Sequence, residues 1–139
     1  MKKLLFVVDP LDQFKVYKDT TFSIMREAQW RGYLIAACLP QDIQWKSGGF
    51  VMATVQQISL TGSQPGWYRV HNTMRMALKD FDAVLMRKDP PFNAEYIYAT
   101  HLLEQAERED GNVVNRPRAL RDHPEKLAIM EFPELVPPT

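Results

Sequence analysis

The chain has 139 residues, 45% of them hydrophobic, which suits one domain with its own core rather than a two-domain enzyme. Seventeen Lys plus Arg balance seventeen Asp plus Glu, so the formal charge is zero and the basic footprint of a dedicated nucleic-acid or membrane-surface binder is missing. One cysteine, Cys38, excludes an internal disulfide; no Cys/His spacing suggests zinc; and the apolar run at residues 4–8 is too short for a signal peptide or a membrane span, which points to a cytoplasmic protein.

Leu4-Leu5-Phe6-Val7-Val8, closed by Asp9-Pro10, has the pattern of a strand buried on both faces of a parallel sheet. Asp19 or Thr20 then caps a predicted helix through Arg31, and Gly32 supplies the left-handed residue that stops it. On that helix Thr21, Ile24, Met25 and Ala28 form one stripe with Phe22 at its margin, while Trp30 lies opposite. Residues 33–39 follow as a second strand, completing a β-α-β unit. Next, Gln44-Trp45-Lys46, a Ser47-Gly48-Gly49 turn and the run at residues 50–60 suggest an appended antiparallel hairpin. Residues 61–66 form a loop by composition, and residues 67–79 read as helix in their second half, closed by Phe81-Asp82.

Residues 83–86 make a third strand. Asn93 caps a further helix, Glu95 complements its dipole, Tyr96, Ala99, Leu102, Leu103 and Ala106 share one face, and Gly111 ends it. Residues 112–114 form a short fourth strand, and Pro117 and Pro124 sit where proline favours a first helical turn. Three prolines in the last nine residues mark a linker with nothing folded after it. The expected fold is an open, mostly parallel α/β sheet flanked by helices, with the hairpin attached.

Ligands of open parallel sheets gather beyond the carboxyl ends of the strands. Two loops leave strands with charge and proline: Asp9-Pro10, and residues 87–92. In the second, Arg87 can hold a carboxylate through two parallel hydrogen bonds, Asp89 can pair with an amine, and the diproline stiffens the backbone. That combination suits a zwitterion, although Arg87 and Asp89 equally fit an ordinary surface ion pair. Lys126, in the first turn of a helix proposed from Pro124, opposes the helix dipole unless an anion binds there; it reads as an anion site or as a solvated lysine. Cys38, Trp67, Tyr68 and the methionines at 74, 76 and 86 read as packing residues, and His71, His101 and His123 lack ligand spacing. Neither a dinucleotide fingerprint nor a P-loop occurs.

The segment Val84-Leu85-Met86-Arg87-Lys88-Asp89-Pro90-Pro91-Phe92, with Glu95-Tyr96-Ile97-Tyr98-Ala99-Thr100 after it, resembles the signature of the amino-terminal, pre-ATP-grasp domain of bacterial glutathione synthetases. The resemblance extends through Asp9-Pro10, Lys18-Asp19-Thr20-Thr21-Phe22, Glu27-Ala28-Gln29, Arg31-Gly32-Tyr33, Val114-Asn115-Arg116-Pro117, Leu120-Arg121-Asp122 and Glu125-Lys126-Leu127, from residue 1 to about residue 133. Thr20-Thr21 stands where that family often has serines, and residues 41–80 depart from its pattern.

The resemblance implies a Rossmann-like domain at residues 1–122, with residues 123–139 beginning the connection to an ATP-grasp domain that lies outside this chain. It implies ATP-dependent joining of γ-glutamylcysteine to glycine through an acyl phosphate, with ATP and Mg²⁺ serving the full-length enzyme. Neither is expected to bind this fragment tightly, and the fragment alone is expected to be inactive. Arg87 falls on the family's peptide-side loop, and Asp9, Lys18, Asp19 and Asp89 are expected near the substrate. Lys126 matches a lysine that contacts nucleotide phosphate. No catalytic residue and no metal ligand is assigned, and homo-oligomers are expected. A free-standing binding module that has lost catalysis, and the same domain of another ATP-grasp peptide ligase, are the competing readings.

Overall fold

The first apolar run forms β1 (Lys3–Val7) at the centre of the sheet in a computed structural model, which describes residues 1–16, 19–62, 66–89, 91–123, 128–131 and 133–135. Successive side chains on a strand point to opposite faces. Leu5 and Val7 therefore enter one core and Phe6 and Val8 the other, each at most 1% exposed. Full burial of such a side chain stabilises the fold by roughly 1.5–3 kcal/mol, so this one strand anchors both layers.

After β1 come α1 (Thr20–Trp30), β2 (Leu34–Cys38), β3 (Ile43–Gln44), β4 (Met52–Leu60), β5 (Tyr68–Ala77), β6 (Ala83–Met86), α2 (Ala94–Arg108), β7 (Val113–Val114) and α3 (Pro117–Asp122). β1 runs parallel to β2 on one side and to β6 on the other, and β7 extends the parallel half beyond β6. β2 also pairs antiparallel with β4, where the sheet changes character. Residues of β4 that pair with β2 and β3 also pair with β5. A strand has two edges, so β2 and β3 share one edge of β4 and β5 takes the other. The open α/β sheet with an antiparallel attachment is thus as the sequence predicts.

Local signals explain both long helices. The Asp19 carboxylate accepts the Phe22 N–H at 3.1 Å to open α1, and Gly32, at φ +79°, stops it with its N–H donating to the Gln29 carbonyl at 2.9 Å. α1 buries Thr21, Phe22, Met25 and Ala28 against the core that holds Phe6. The Asn93 side chain accepts the Tyr96 N–H at 3.0 Å to open α2, whose Ala99, Leu103 and Ala106 pack into the opposite core. α3 is tied to α2 by Arg121, which bonds the Glu104 carboxylate and donates to Thr100 Oγ1 at 3.3 Å.

Two expectations are corrected. The second half of residues 67–79, expected as helix, instead continues β5 as far as Ala77, and only Leu78–Asp80 winds, as a single 3-10 turn. The appended element is larger than the predicted hairpin: β3 does pair with β4 across the Gly48 turn, but the long ribbon is β4 with β5. After α2 the left-handed residue is Asp110, at φ +71°, just before the Gly111 that the sequence places at the end of that helix. Short 3-10 turns occupy Ala128–Glu131 and Pro133–Leu135 in the proline-rich tail. The helix proposed from Pro124 lies outside the described residues. Among the described residues no helix is long and apolar enough to cross a membrane.

Candidate functional site

The order β2-β1-β6-β7 places the crossover through α1 and the crossover through α2 on opposite sides of the β1/β6 boundary, and on opposite faces of the sheet. Beyond the carboxyl ends of two strands whose connections diverge, a crevice opens, because neither crossover fills it. Val7 pairs with Met86 across this boundary, so the two loops singled out from sequence leave the sheet side by side. The Arg87 N–H donates to the Val7 carbonyl at 2.8 Å and extends the pairing by one step.

A cavity of about 230 Å³ lies there, lined by Asp9, Gln13, Phe14, Asp19, Thr21, Arg87 and Asp89. Four of the six residues expected near ligands therefore meet in one place: Asp9, Asp19, Arg87 and Asp89. Lys18 and Lys126 lie outside the described residues. Three larger concavities, about 310, 450 and 440 Å³, differ in chemistry or place: the first holds Asp9, Asp12 and Asp42 with no cation, the second sets Lys88 and Glu95 among apolar and aromatic residues, and the third sets Arg108 and Arg116 beside Glu104 and Glu107 where α2 leads into the start of β7. Size favours those three, but only the smaller cavity joins an arginine and carboxylates beyond the carboxyl ends of the parallel strands, where ligands of open sheets gather; the mixed-charge concavity beside α2 opens at the amino-terminal end of β7.

Each side chain has a distinct local task. Both Asp9 oxygens are engaged: Oδ1 with the Lys88 ammonium at 2.8 Å and Oδ2 with the Asp89 N–H at 2.8 Å. Asp9 thus clamps the loop after β6 onto the loop after β1. Lys88 also donates to the Asp89 carbonyl at 2.8 Å, which tightens the same turn. Asp19 spends one oxygen on the α1 cap. The Asp89 carboxylate, by contrast, has no ion pair among the described residues. Partial burial, and then the nearby carboxylates of Asp9 and Asp19, hold its pKa above the ordinary carboxylate value, against the opposing pull of Lys88 and Arg87. The expected alternative of an Arg87–Asp89 surface pair does not form.

Sequence reading passed over four contributors. Lys88 joins Asp9. Gln13 and Phe14 reach the cavity from the 3-10 turn after β1, which is held by the Trp67 indole N–H donating to the Leu11 carbonyl at 3.1 Å, with the Trp67 ring stacked 5.2 Å from Phe14. Thr21 stood on the buried stripe of α1, where it is indeed buried, and its hydroxyl accepts from Arg87 Nε at 3.0 Å. Its polarity on an otherwise apolar stripe was the available signal.

The other residues considered earlier sit elsewhere. Cys38 is buried, and that burial, with Asp42 nearby, pushes its thiol well above the ordinary value and keeps it unreactive. His101 is exposed, His71 meets Ser59 at 2.7 Å, and His123 meets Glu131 at 2.7 Å. Among the described residues no three His, Cys, Asp or Glu side chains form a group that could hold a metal ion.

These features define an open α/β domain with a polar crevice at its topological switch point. Comparison with known proteins narrows the class. The family model for the prokaryotic glutathione synthetase N-terminal domain matches residues 2–121, and the chain belongs to that family. It is 50% identical over 137 residues to the glutathione synthetase of Ralstonia nicotianae, 46% over 140 residues to that of Nitrosomonas europaea and 45% over 139 residues to that of Vibrio cholerae. These alignments cover 99%, 99% and 100% of this chain but 42%, 43% and 43% of the respective relatives.

Proposed function

We propose that this domain supplies the peptide-binding wall of a glutathione synthetase. In the reaction that the resemblance implies, a carboxylate oxygen of γ-glutamylcysteine attacks the terminal phosphorus of ATP, which gives an acyl phosphate and ADP. The glycine amine then attacks the acyl carbon, and phosphate leaves. The part assigned to the present residues is binding and orientation. Arg87 receives one peptide carboxylate, Asp89 with the second oxygen of Asp19 receives the ammonium group, and Asp9 with Lys88 keeps the Arg87 loop in place. Lys18 stands close to the same substrate, and Lys126 meets a nucleotide phosphate.

The observation that carries this reading is the convergence of Arg87, Asp19 and Asp89 on one crevice between diverging crossovers. A zwitterion with more than one carboxylate matches that mixture of charges, whereas a simple anion or cation matches only half of it. The cavity falls below the range of about 300–1,000 Å³ common for small-molecule pockets, as expected for a site completed by a further wall. ATP and Mg²⁺ enter the proposal as requirements of the longer protein. The described carboxylates do not gather as a metal site, so no step is assigned to a metal held here. The longer protein is proposed to assemble as a homo-oligomer, which sedimentation tests.

The experiment is to purify the gene's full-length product and the 139-residue chain side by side, each with ATP, Mg²⁺, γ-glutamylcysteine and glycine. Glutathione and ADP should form in equal amounts with the first and not with the second. Full turnover by the short chain would place the phosphoryl-transfer apparatus inside it and overturn the division of labour. Failure of the full-length product to form glutathione would remove the assigned reaction.

A further inference from the structure

Arg87 is held at two points. Its backbone N–H belongs to the sheet through Val7, and its Nε donates at 3.0 Å to the hydroxyl of Thr21 in the first turn of α1. Thr21 is 5% exposed, so this bond is made away from bulk water, across 66 residues of sequence. A guanidinium is planar, and fixing Nε fixes the plane in which its remaining donors lie. Among the described residues neither Nη nitrogen has an acceptor. A carboxylate can grip a guanidinium side-on, through Nε and one Nη, or end-on, through both Nη atoms. With Nε already committed, the end-on approach is the one left with two donors.

We propose that Thr21 is a positioning residue that, by occupying Arg87 Nε, presents the guanidinium end-on to a substrate carboxylate across the crevice. The inference rests on the peptide-binding reading above and adds a residue outside that assignment. The Thr21 hydroxyl acts on the substrate through Arg87 and touches no reacting atom. A valine at this position has nearly the same shape but accepts no hydrogen bond, whereas a serine keeps the acceptor and loses a methyl group.

In the full-length product, Thr21→Val should raise KM for γ-glutamylcysteine by about tenfold, the lower end for a lost hydrogen bond to a charged group, with a smaller effect on kcat. Thr21→Ser should stay within about twofold of the parent, since the acceptor is retained. In an Arg87→Ala background, Thr21→Val should add nothing further, because residues acting through one contact are not additive. A Thr21→Val enzyme with the parent's KM, or a KM penalty equal in size with and without Arg87, would overturn the positioning role while leaving the peptide site intact. If Arg87→Ala itself leaves KM unchanged, the peptide-binding reading fails instead, and Thr21 falls with it. Should Thr21→Val fold poorly by thermal melt, the contrast between Thr21→Ser and Thr21→Ala decides: equal KM values for those two would overturn the proposal.

Discussion

Arg87 owes its place to a strand end and its direction to a helix, and its consequence is measurable. Replacement by alanine should raise KM for γ-glutamylcysteine by about 10- to 150-fold in steady-state assays, the range for a lost hydrogen bond between charged groups. KM for ATP should change far less, whereas Lys126→Ala should show the opposite pattern. Asp89 makes a separate prediction, about pH. Its folded-state pKa lies above the unfolded value, so its contribution to stability is favourable below the unfolded pKa and is lost as pH rises through the folded one. At pH ~7 the ionised group therefore works against folding, and Asp89→Asn should melt at a higher temperature than the parent. The difference should vanish by about pH 3, below the ordinary carboxylate pKa, which paired melting curves would detect. Glu104 has the reverse sign: its hydrogen bond from Arg121 holds its pKa low, so its contribution is present above the unfolded pKa and is lost as pH falls through the folded one.

Among the elements, helix ends carried the clearest sequence signals, because a cap is decided within four residues. Asp19 before α1, Asn93 before α2 and Gly32 after α1 all act as their chemistry requires. The far end of α2 divides the work between two residues. There the left-handed conformation falls on Asp110, and Gly111 is needed for space. A Cβ on Gly111 would stand 2.7 Å from the Ala106 carbonyl oxygen, which is backbone and cannot turn aside. Gly111→Ala should therefore destabilise the domain by about 1–3 kcal/mol in urea titrations, as overpacking does. Asp110→Gly, which relieves a left-handed aspartate, should gain up to about 1 kcal/mol. Opposite signs at adjacent positions would be hard to obtain from any general change in helix propensity.

For the whole molecule, the parallel half was legible and the antiparallel ribbon only partly so. Strands buried on both faces announce themselves as unbroken apolar runs, and the loops that leave β1 and β6 are assigned to one end of one sheet by sequence pattern alone. β5 was misread because Met74, Ala77, Leu78 and Phe81 fall at helical spacing, while most of its other residues face water and give no alternation strong enough to compete. In the site, charged loop residues were recoverable because their chemistry is local. The Thr21–Arg87 bond and the Trp67–Leu11 brace were not, since each joins positions more than fifty residues apart.

β5 also leaves ten residues of backbone at the rim of the sheet, paired on its inner side with β4. Such a rim can template the addition of another chain, and natural proteins blunt it with charge. Arg69 and Arg75, both exposed, supply that charge. Replacing both with threonine, which favours strands and carries no charge, should turn a monodisperse solution into one that seeds filaments, seen as rising light scattering and thioflavin fluorescence. Two guanidinium groups far from the crevice would then be what keeps the molecule in solution long enough to meet a substrate.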